Sequence, residues 1–351
     1  MTTLTRQLNQ SRGIHKRRQP KNKPLKHAVK IIYYICCLAG AAELLDELRA
    51  EGISAIIRRR DTAALYDWLA AALSYQGISD QVAADYMERH GRPQWHDIKA
   101  KVAADASCPK LKTYWHFHDC RFEKVNRTCT EPDHIDRCPL PSHDLRNGRL
   151  NQTAYSLYLF IRDIAANDLI GWIDQQLRNA DRSCDNDRHA RLRAALLNPL
   201  REIYGVSNKV LTMTLSCVLL SAPQGFDLWR EVGATMIAVD TLVHNFLHRS
   251  GILRRFKAEH PYGAACYGPG NCADIINGVA RRIDARSFNP RFPIVFPRFV
   301  QHAIWRYCAR NGLGICNGNR IDDRKSCGNI YCQIHGQCDR IAMYSLKYSL
   351  V

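Results

Sequence analysis

The chain has 351 residues, of which 46% are hydrophobic and 24% charged, the balance of a soluble globular protein with one large or two modest domains. Its formal net charge of +17 favours a polyanion such as nucleic acid as the partner, without choosing between DNA and RNA. No segment reaches the ~20 apolar residues of a membrane helix, and the longest apolar run, residues 31–39, follows a long polar stretch that is not typical of a secretory signal.

Residues 1–30 are predicted to form a disordered basic tail. They hold nine Lys or Arg residues and no Asp or Glu, and Pro20 and Pro24 interrupt them. Such a tail either binds a polyanion or only keeps the protein soluble by charge repulsion. In residues 31–107 apolar side chains recur at three- and four-residue spacing, which predicts an N-terminal helical region.

Residues 108–150 break this helical pattern and are predicted to form an irregular loop or mini-domain. The segment is rich in proline and histidine, and it carries a first group of cysteines at Cys108, Cys120, Cys129 and Cys138. Clustered cysteines in a chain of this length indicate a metal site rather than a disulfide framework. Zinc is the candidate for this second metal site, although no common motif has these intervals and some of the thiols could instead combine with Cys266, Cys272 or Cys308.

Helical periodicity resumes in residues 151–255, where Asp168 is a candidate N-cap. A glycine-bearing turn then runs through Ile203, Tyr204, Gly205, Val206 and Ser207 into a helix that carries Lys209 in its first turn. Further along, Asp240 ends an apolar run and opens an amphipathic helix. A lysine and a carboxylate are therefore held at two helix starts.

These two segments resemble the helix-hairpin-helix (HhH-GPD) DNA glycosylase superfamily, in particular its endonuclease III-like branch. The hairpin of that superfamily has the form Gly-hydrophobic-Gly-x-Lys, and its catalytic acid lies in a Val-Asp-Thr tripeptide. The chain matches these patterns over residues 152–255 at Gly205, Val206, Lys209, Val239, Asp240, Thr241 and Arg249. It departs from them in carrying Ser207 for the second hairpin glycine, Leu242 where many members have histidine, and a longer separation between the lysine and the acid.

Helical periodicity and the scarcity of period-two strands predict an all-α fold with irregular cysteine-rich loops. The resemblance implies in addition that the helical fold has two lobes and that the cysteine-rich loops bind metal. It also implies that Lys209 and Asp240 are catalytic. The residues expected to contact DNA are Gly205, Val206, Ser207, Asn208 and Arg249. Breaking the bond between a base and its sugar builds positive charge on the sugar, which a carboxylate stabilises, and a deprotonated lysine can form a Schiff base with the sugar.

Simpler roles are available to the same residues. Asp240 is also a suitable N-cap, and Lys209 could contact a phosphate without taking part in chemistry. Aromatic side chains that could stack on an extruded base are Tyr204, Trp172 and Trp229, although such residues more often belong to a core.

Residues 256–351 are predicted to form a C-terminal helical region with a second cysteine group at Cys316, Cys327, Cys332 and Cys338. In the iron-sulfur branch of the superfamily four cysteines follow the catalytic domain, so the resemblance implies a [4Fe–4S] cluster here. Four thiolates could alternatively hold a tetrahedral zinc. The isolated thiols Cys36, Cys37 and Cys217 lie on apolar faces and are expected to be core residues.

The function predicted from the sequence is a DNA glycosylase, with additional abasic-site lyase activity if Lys209 is a nucleophile. It would excise a damaged or modified base from double-stranded DNA, as a monomer in the cytoplasm, associated with the nucleoid and not with a membrane. The alternatives are a DNA-binding protein that kept the hairpin and lost the chemistry, which the substitutions at Ser207 and Leu242 favour, and a metal-dependent DNA-binding regulator.

Overall fold

The computed structural model describes residues 23–76, 78, 80–104, 107–182, 187–318 and 320–343. Helices take up 59% of the structure and strands 1%, which confirms the all-α class. In the first half of the chain the helices are α1 (Lys23–Leu38), α2 (Leu44–Ala50), α3 (Ile53–Arg59), α4 (Thr62–Leu73), α5 (Asp80–His90), α6 (Trp95–Ala103), α7 (Tyr114–Phe117) and α8 (Asn151–Asp163). In the second half they are α9 (Leu169–Ala180), α10 (Arg188–Leu200), α11 (Asn208–Leu220), α12 (Asp227–Thr235), α13 (Thr241–Arg249), α14 (Ile252–Phe256), α15 (Cys272–Ala280) and α16 (Pro297–Cys308).

The apolar side chains form two separate cores, which define two lobes. The first lobe is built from residues 53–236, so it contains α3 to α12. The second lobe combines α1 and α2 with α13 to α16, and α1 packs directly on α14, α15 and α16. The chain therefore starts in the second lobe, builds the first and returns. The boundaries predicted at residues 151 and 255 do not match the two cores. The first core includes residues on both sides of residue 151, and the second includes residues on both sides of residue 255.

The N-terminal region corrects one prediction. The tail was expected to extend to residue 30, but α1 begins at Lys23, and residues 1–22 lie outside the described part of the chain. Pro24 does not break this helix because a proline in the first turn removes no intrahelical hydrogen bond. The helix buries Ala28, Ile31 and Ile35 in the second core, and this burial orders a segment whose polar residues suggested disorder.

The cysteine-rich segment of residues 108–150 is irregular, as predicted, but it belongs to the first lobe. It contains α7, a two-stranded hairpin of β1 (Phe122–Glu123) and β2 (Thr128–Cys129), and short 3-10 turns. In the hairpin Phe122 pairs with Cys129 in antiparallel register. Leu111, Phe117 and Leu140 are buried in the first core and anchor the segment.

Several helices begin at a side-chain cap that the sequence identifies. Asp168 accepts a hydrogen bond from the backbone N–H of Gly171 at 2.9 Å, which confirms its predicted role at the start of α9.

Among the described helices none is by itself long and apolar enough to cross a membrane, although the bent pair Lys23–Leu38 and Ala41–Ala50 meets the length and composition test when taken together.

Candidate active site and metal centres

A cavity of about 900 Å³ lies between the two lobes. From the first lobe it is lined by α4 and α11, and from the second by α16 and the residues that lead into α13. Both Lys209 and Asp240 line it. The two residues that the sequence singled out, which come from different lobes, therefore share one cavity.

Lys209 is placed by the turn between α10 and α11. Gly205 in this turn has a φ of +76°, in the left-handed region that favours glycine, and a Cβ there would lie 3.0 Å from Thr153 Oγ1. The Gln76 side chain fixes the turn, because its Nε2 donates to the Gly205 carbonyl at 2.9 Å and its Oε1 accepts from the Ser207 N–H at 3.3 Å. Ser207 then caps α11 through the Val210 N–H, so Lys209 emerges in the first turn of the helix.

Asp240 is the N-cap of α13, and its Oδ1 accepts the Val243 N–H at 2.8 Å. Only 9% of the residue is exposed. Burial raises the pKa of the Asp240 carboxyl, while the Val243 N–H, the Lys209 ammonium, the Leu242 N–H and the Arg298 guanidinium act in the opposite direction. The N-cap role is therefore observed, and the carboxylate also lies within electrostatic reach of Lys209.

The cavity wall contains polar and aromatic residues that the sequence reasoning missed. From α16, Arg298, Gln301 and His302 line it, and the aromatic lining residues are Trp68, Tyr75 and Trp305. Arg298 is 7% exposed and donates to Gln301 Oε1, while its buried Nε has no hydrogen-bond partner. A buried N–H without an acceptor at a cavity wall is suited to a ligand oxygen. A helical spacing of Arg-x-x-Gln-His-x-x-Trp was the only available sequence signal.

The aromatic residues that the sequence proposed for base stacking lie elsewhere. Trp172 and Trp229 are buried in the first core, at 8% and 0% exposure, which agrees with the core role and not with base stacking. Tyr204 is 39% exposed in the hairpin turn.

The residues predicted to contact DNA differ in their solvent exposure. Gly205, Ser207 and Asn208 are exposed and Val206 is partly exposed, so the turn is accessible to a partner. Arg249 is 2% exposed, forms an ion pair with Asp323, and places its Nη1 3.3 Å from Cys316 Sγ. The prediction that Arg249 contacts DNA is therefore wrong, because the side chain is enclosed beside the C-terminal cysteine group.

The four C-terminal cysteines line one small cavity, but they are not part of the group of described residues whose ligand atoms all lie within 4.8 Å of one another. A small cavity with apolar walls is lined by Cys316, Cys327, Cys332 and Cys338 together with Arg249. The Tyr307 hydroxyl lies 3.1 Å from Cys332 Sγ. A hydrogen bond from the neighbouring Cys308 lowers the pKa of the Cys316 thiol to about 7, with Arg249 acting in the same direction and burial opposing it. The chemistry of this donor set fits a cysteine-ligated metal centre, because thiolate ligands need compensating positive charge and hydrogen-bond donors.

The charges of Cys108, Cys120 and Cys129 act on the Cys138 thiol, but these four cysteines are not part of the group of described residues whose ligand atoms all lie within 4.8 Å of one another. Burial raises the pKa of Cys108, Cys120 and Cys138, and in each case the backbone N–H two residues later opposes the rise. At the fourth cysteine, Cys129, the Glu131 N–H lies 3.4 Å from Sγ. These N–H donors favour the thiolate at Cys108, Cys120 and Cys138, but burial outweighs them and the net pKa of each thiol is raised.

A third group, which the sequence reasoning did not identify, is a buried cluster of His244, His260, Cys266 and Cys272 that could hold a metal ion such as zinc. Their ligand atoms all lie within 4.8 Å of one another. A hydrogen bond from Cys272 lowers the pKa of Cys266 to about 3 against the effect of burial, and the same bond raises the pKa of Cys272. Two histidines and two cysteines within 29 residues were the available signal, but Cys266 and Cys272 were considered only as partners of other cysteines.

Comparison with protein-family models, with curated proteins and with solved structures finds no match for this chain.

Proposed function

We propose that this protein is a DNA glycosylase that excises a damaged or modified base after the nucleotide has been turned out of the duplex into the cavity between the lobes. The observation that carries the proposal is that Lys209 and Asp240, on separate lobes, line one cavity. Its volume of about 900 Å³ is sufficient for an extruded nucleoside. The resemblance of the hairpin and of the Val239-Asp240-Thr241 segment to the helix-hairpin-helix glycosylases supports the same activity.

Asp240 supplies the electrostatic part of the chemistry. As the bond between the base and C1′ of the sugar breaks, the electron pair leaves with the base and positive charge develops on the sugar ring. A carboxylate held in a water-poor site stabilises that charge more strongly than water does. The Val243 N–H fixes Asp240 in place, and the capped oxygen cannot turn away without losing the 2.8 Å hydrogen bond.

Lys209 supplies the nucleophile for a second activity, strand cleavage at the abasic site. The neutral amine adds to C1′ and, with loss of water from the opened sugar, forms a protonated imine. The imine acidifies the C2′ proton, and its removal by a base expels the 3′ phosphate. Asp240 interacts electrostatically with Lys209 and lines the same cavity, so it serves as the carboxylate for the required proton transfers.

The hairpin and the cavity wall bind the DNA backbone. The first-turn N–H groups of α11 have no intrahelical acceptor and, with the positive end of the helix dipole, favour a phosphate at Asn208 and Lys209. Arg298 adds a buried cation with an unpaired Nε at the cavity wall. Trp68, Tyr75 and Trp305 are the residues that stack on the extruded base.

The metal centres in this proposal are structural. Cys316, Cys327, Cys332 and Cys338 would hold a [4Fe–4S] cluster, whose negative charge the Arg249 guanidinium beside Cys316 would compensate. Cys108, Cys120, Cys129 and Cys138 would hold a zinc ion, which would order an irregular segment with little core of its own.

A panel of duplexes tests the function. Each duplex carries one uracil, oxidised purine, oxidised pyrimidine, alkylated base or abasic site, and each is incubated with the wild type and with Asp240→Asn. We expect the wild type to release one base class and Asp240→Asn to release it at least about 100-fold more slowly, with equal DNA affinity for the two. DNA binding without release of any base would overturn the enzymatic proposal and leave a non-catalytic DNA-binding protein.

A further inference from the structure

The segment between α14 and α15, residues 257–271, is long, contains three glycines and has no α-helix. It is nevertheless closely packed against the start of α13. The Tyr267 hydroxyl accepts the Val239 N–H at 3.0 Å, and the Tyr262 ring lies 5.8 Å from that of His244. A segment with so few apolar contacts of its own needs another source of order, and three of the four clustered residues, His260, Cys266 and Cys272, lie in it or at its end.

The distances within this cluster match those of a single tetrahedral ion. Cys266 Sγ and Cys272 Sγ both lie 3.5 Å from His244 Nδ1, and Cys272 Sγ lies 3.4 Å from His260 Nε2. Zinc bonds of about 2.3 Å to sulfur and about 2.0 Å to nitrogen place tetrahedral sulfur and nitrogen ligands about 3.5 Å apart. The cluster therefore has the size of a zinc ligand shell.

The hydrogen bonding around the cluster also prepares it for a cation. His260 Nδ1 lies 2.7 Å from the Ala258 carbonyl, to which only an N–H can donate, so the lone pair is on Nε2, the nitrogen that faces Cys272. All four residues are at most 8% exposed. Two imidazoles and two cysteine sulfurs enclosed together are a donor set that a structural zinc ion takes.

We propose that His244, His260, Cys266 and Cys272 bind one structural zinc ion that fastens the segment of residues 257–271 to α13. Four protein ligands leave no open coordination position, so the ion does not activate water. Because His244 lies one helical turn after Asp240 on α13, the ion also holds the start of that helix in position. The site stands on its own geometry, whether or not the protein is a glycosylase.

Metal analysis of the purified full-length protein tests the site. We expect zinc in the wild type and a loss of one equivalent per chain in Cys266→Ser/Cys272→Ser, with the iron content unchanged. Cys37→Ser, at an exposed free thiol, is the control and should keep all its zinc. An unchanged zinc content in the double variant would overturn the proposal.

A measurement on the wild type covers the case in which the double variant does not fold. X-ray absorption at the zinc edge should show both nitrogen and sulfur in the first shell, whereas zinc at the cysteine group of residues 108–138 would contribute sulfur alone. A first shell of sulfur only, or no zinc in protein prepared with zinc present, would overturn the proposal.

Discussion

Lys209 in the first turn of α11 and Asp240 at the N-cap of α13 belong to different lobes, yet both line the cavity between them. The Lys209 charge lowers the pKa of Asp240, although burial of the carboxyl has the larger effect and raises it. In the proposed function these two groups, held at two helix starts, carry the proton transfer and the charge stabilisation.

Replacing Lys209 tests whether this residue is a nucleophile or only contacts a phosphate. With abasic-site DNA and borohydride we expect a trapped covalent adduct for the wild type and none for Lys209→Ala, because the reduced imine requires this amine. Lys101→Ala, at an exposed lysine of α6, is the matched control and should still be trapped. Survival of the adduct in Lys209→Ala would exclude the lysine as nucleophile.

Replacing Asp240 separates catalysis from helix capping. Asn is as good an N-cap as Asp, so we expect Asp240→Asn to fold normally while base release falls by at least about 100-fold. The matched control is Asp61→Asn, which caps α4 through the Ala64 N–H at 3.0 Å and lies outside the cavity. Equal activity of the two variants, measured as single-turnover base release, would contradict a catalytic carboxylate at Asp240.

The raised pKa of Asp240 predicts how stability depends on pH. The folded protein holds this proton more tightly than the unfolded chain, so the group's contribution to stability falls as pH rises from the unfolded to the folded pKa. Asn does not titrate. The free energy of unfolding of Asp240→Asn should therefore increase relative to that of the wild type as pH rises through this interval. Denaturant unfolding over a pH series measures the difference.

Asp339 provides a control of opposite sign. Burial raises its pKa, but hydrogen bonds from Arg255 and Arg254 outweigh this effect and the net pKa is lowered. Asp339→Asn should therefore lose stability relative to the wild type as pH rises. The same trend for both variants would contradict the assigned causes.

The hairpin turn depends on the backbone freedom of Gly205. We expect Gly205→Ala to destabilise the protein by about 1 kcal/mol or more, since its φ of +76° disfavours a side chain and Thr153 Oγ1 obstructs the new Cβ. Gly225→Ala shares the positive φ, +94°, but has nothing within 4 Å of the new Cβ. In a DNA-binding assay on folded protein, Gly205→Ala alone should lose affinity. Equal loss in both would show that the hairpin has no special part in binding.

Arg249 and Arg201 should have opposite roles. Arg249→Met removes the partner of the half-exposed Asp323 and of Cys316, so we expect lower iron content and a loss of about 1.5 kcal/mol of stability. Arg201→Met replaces an exposed arginine of the hairpin turn. The variant should keep its iron but bind DNA more weakly, and the slope of the logarithm of the binding constant against the logarithm of the salt concentration should fall by about 1 in magnitude. Iron analysis and binding at several salt concentrations distinguish the two. Full iron content in Arg249→Met would contradict its place beside a cluster.

The sequence alone determined the local features of this protein. Helical periodicity gave the all-α class, and the caps at Asp168, Ser207 and Asp240 are local because each side chain bonds a backbone N–H three residues later. The glycine turn placed Lys209 at a helix start for the same reason. A polar, proline-containing N-terminus suggested disorder up to residue 30, but α1 is ordered by apolar contacts with distant helices that no local pattern contains.

Only the tertiary structure decided which of these residues meet. The return of the chain to its N-terminal helices creates two cores and the cavity between them, and so brings α4 and α16 opposite Lys209 and Asp240. Packing enclosed Arg249 beside Cys316, and it gathered His244 with His260, Cys266 and Cys272. Burial and convergence depend on contacts between residues far apart in the chain, whereas spacing reports only on neighbours along it.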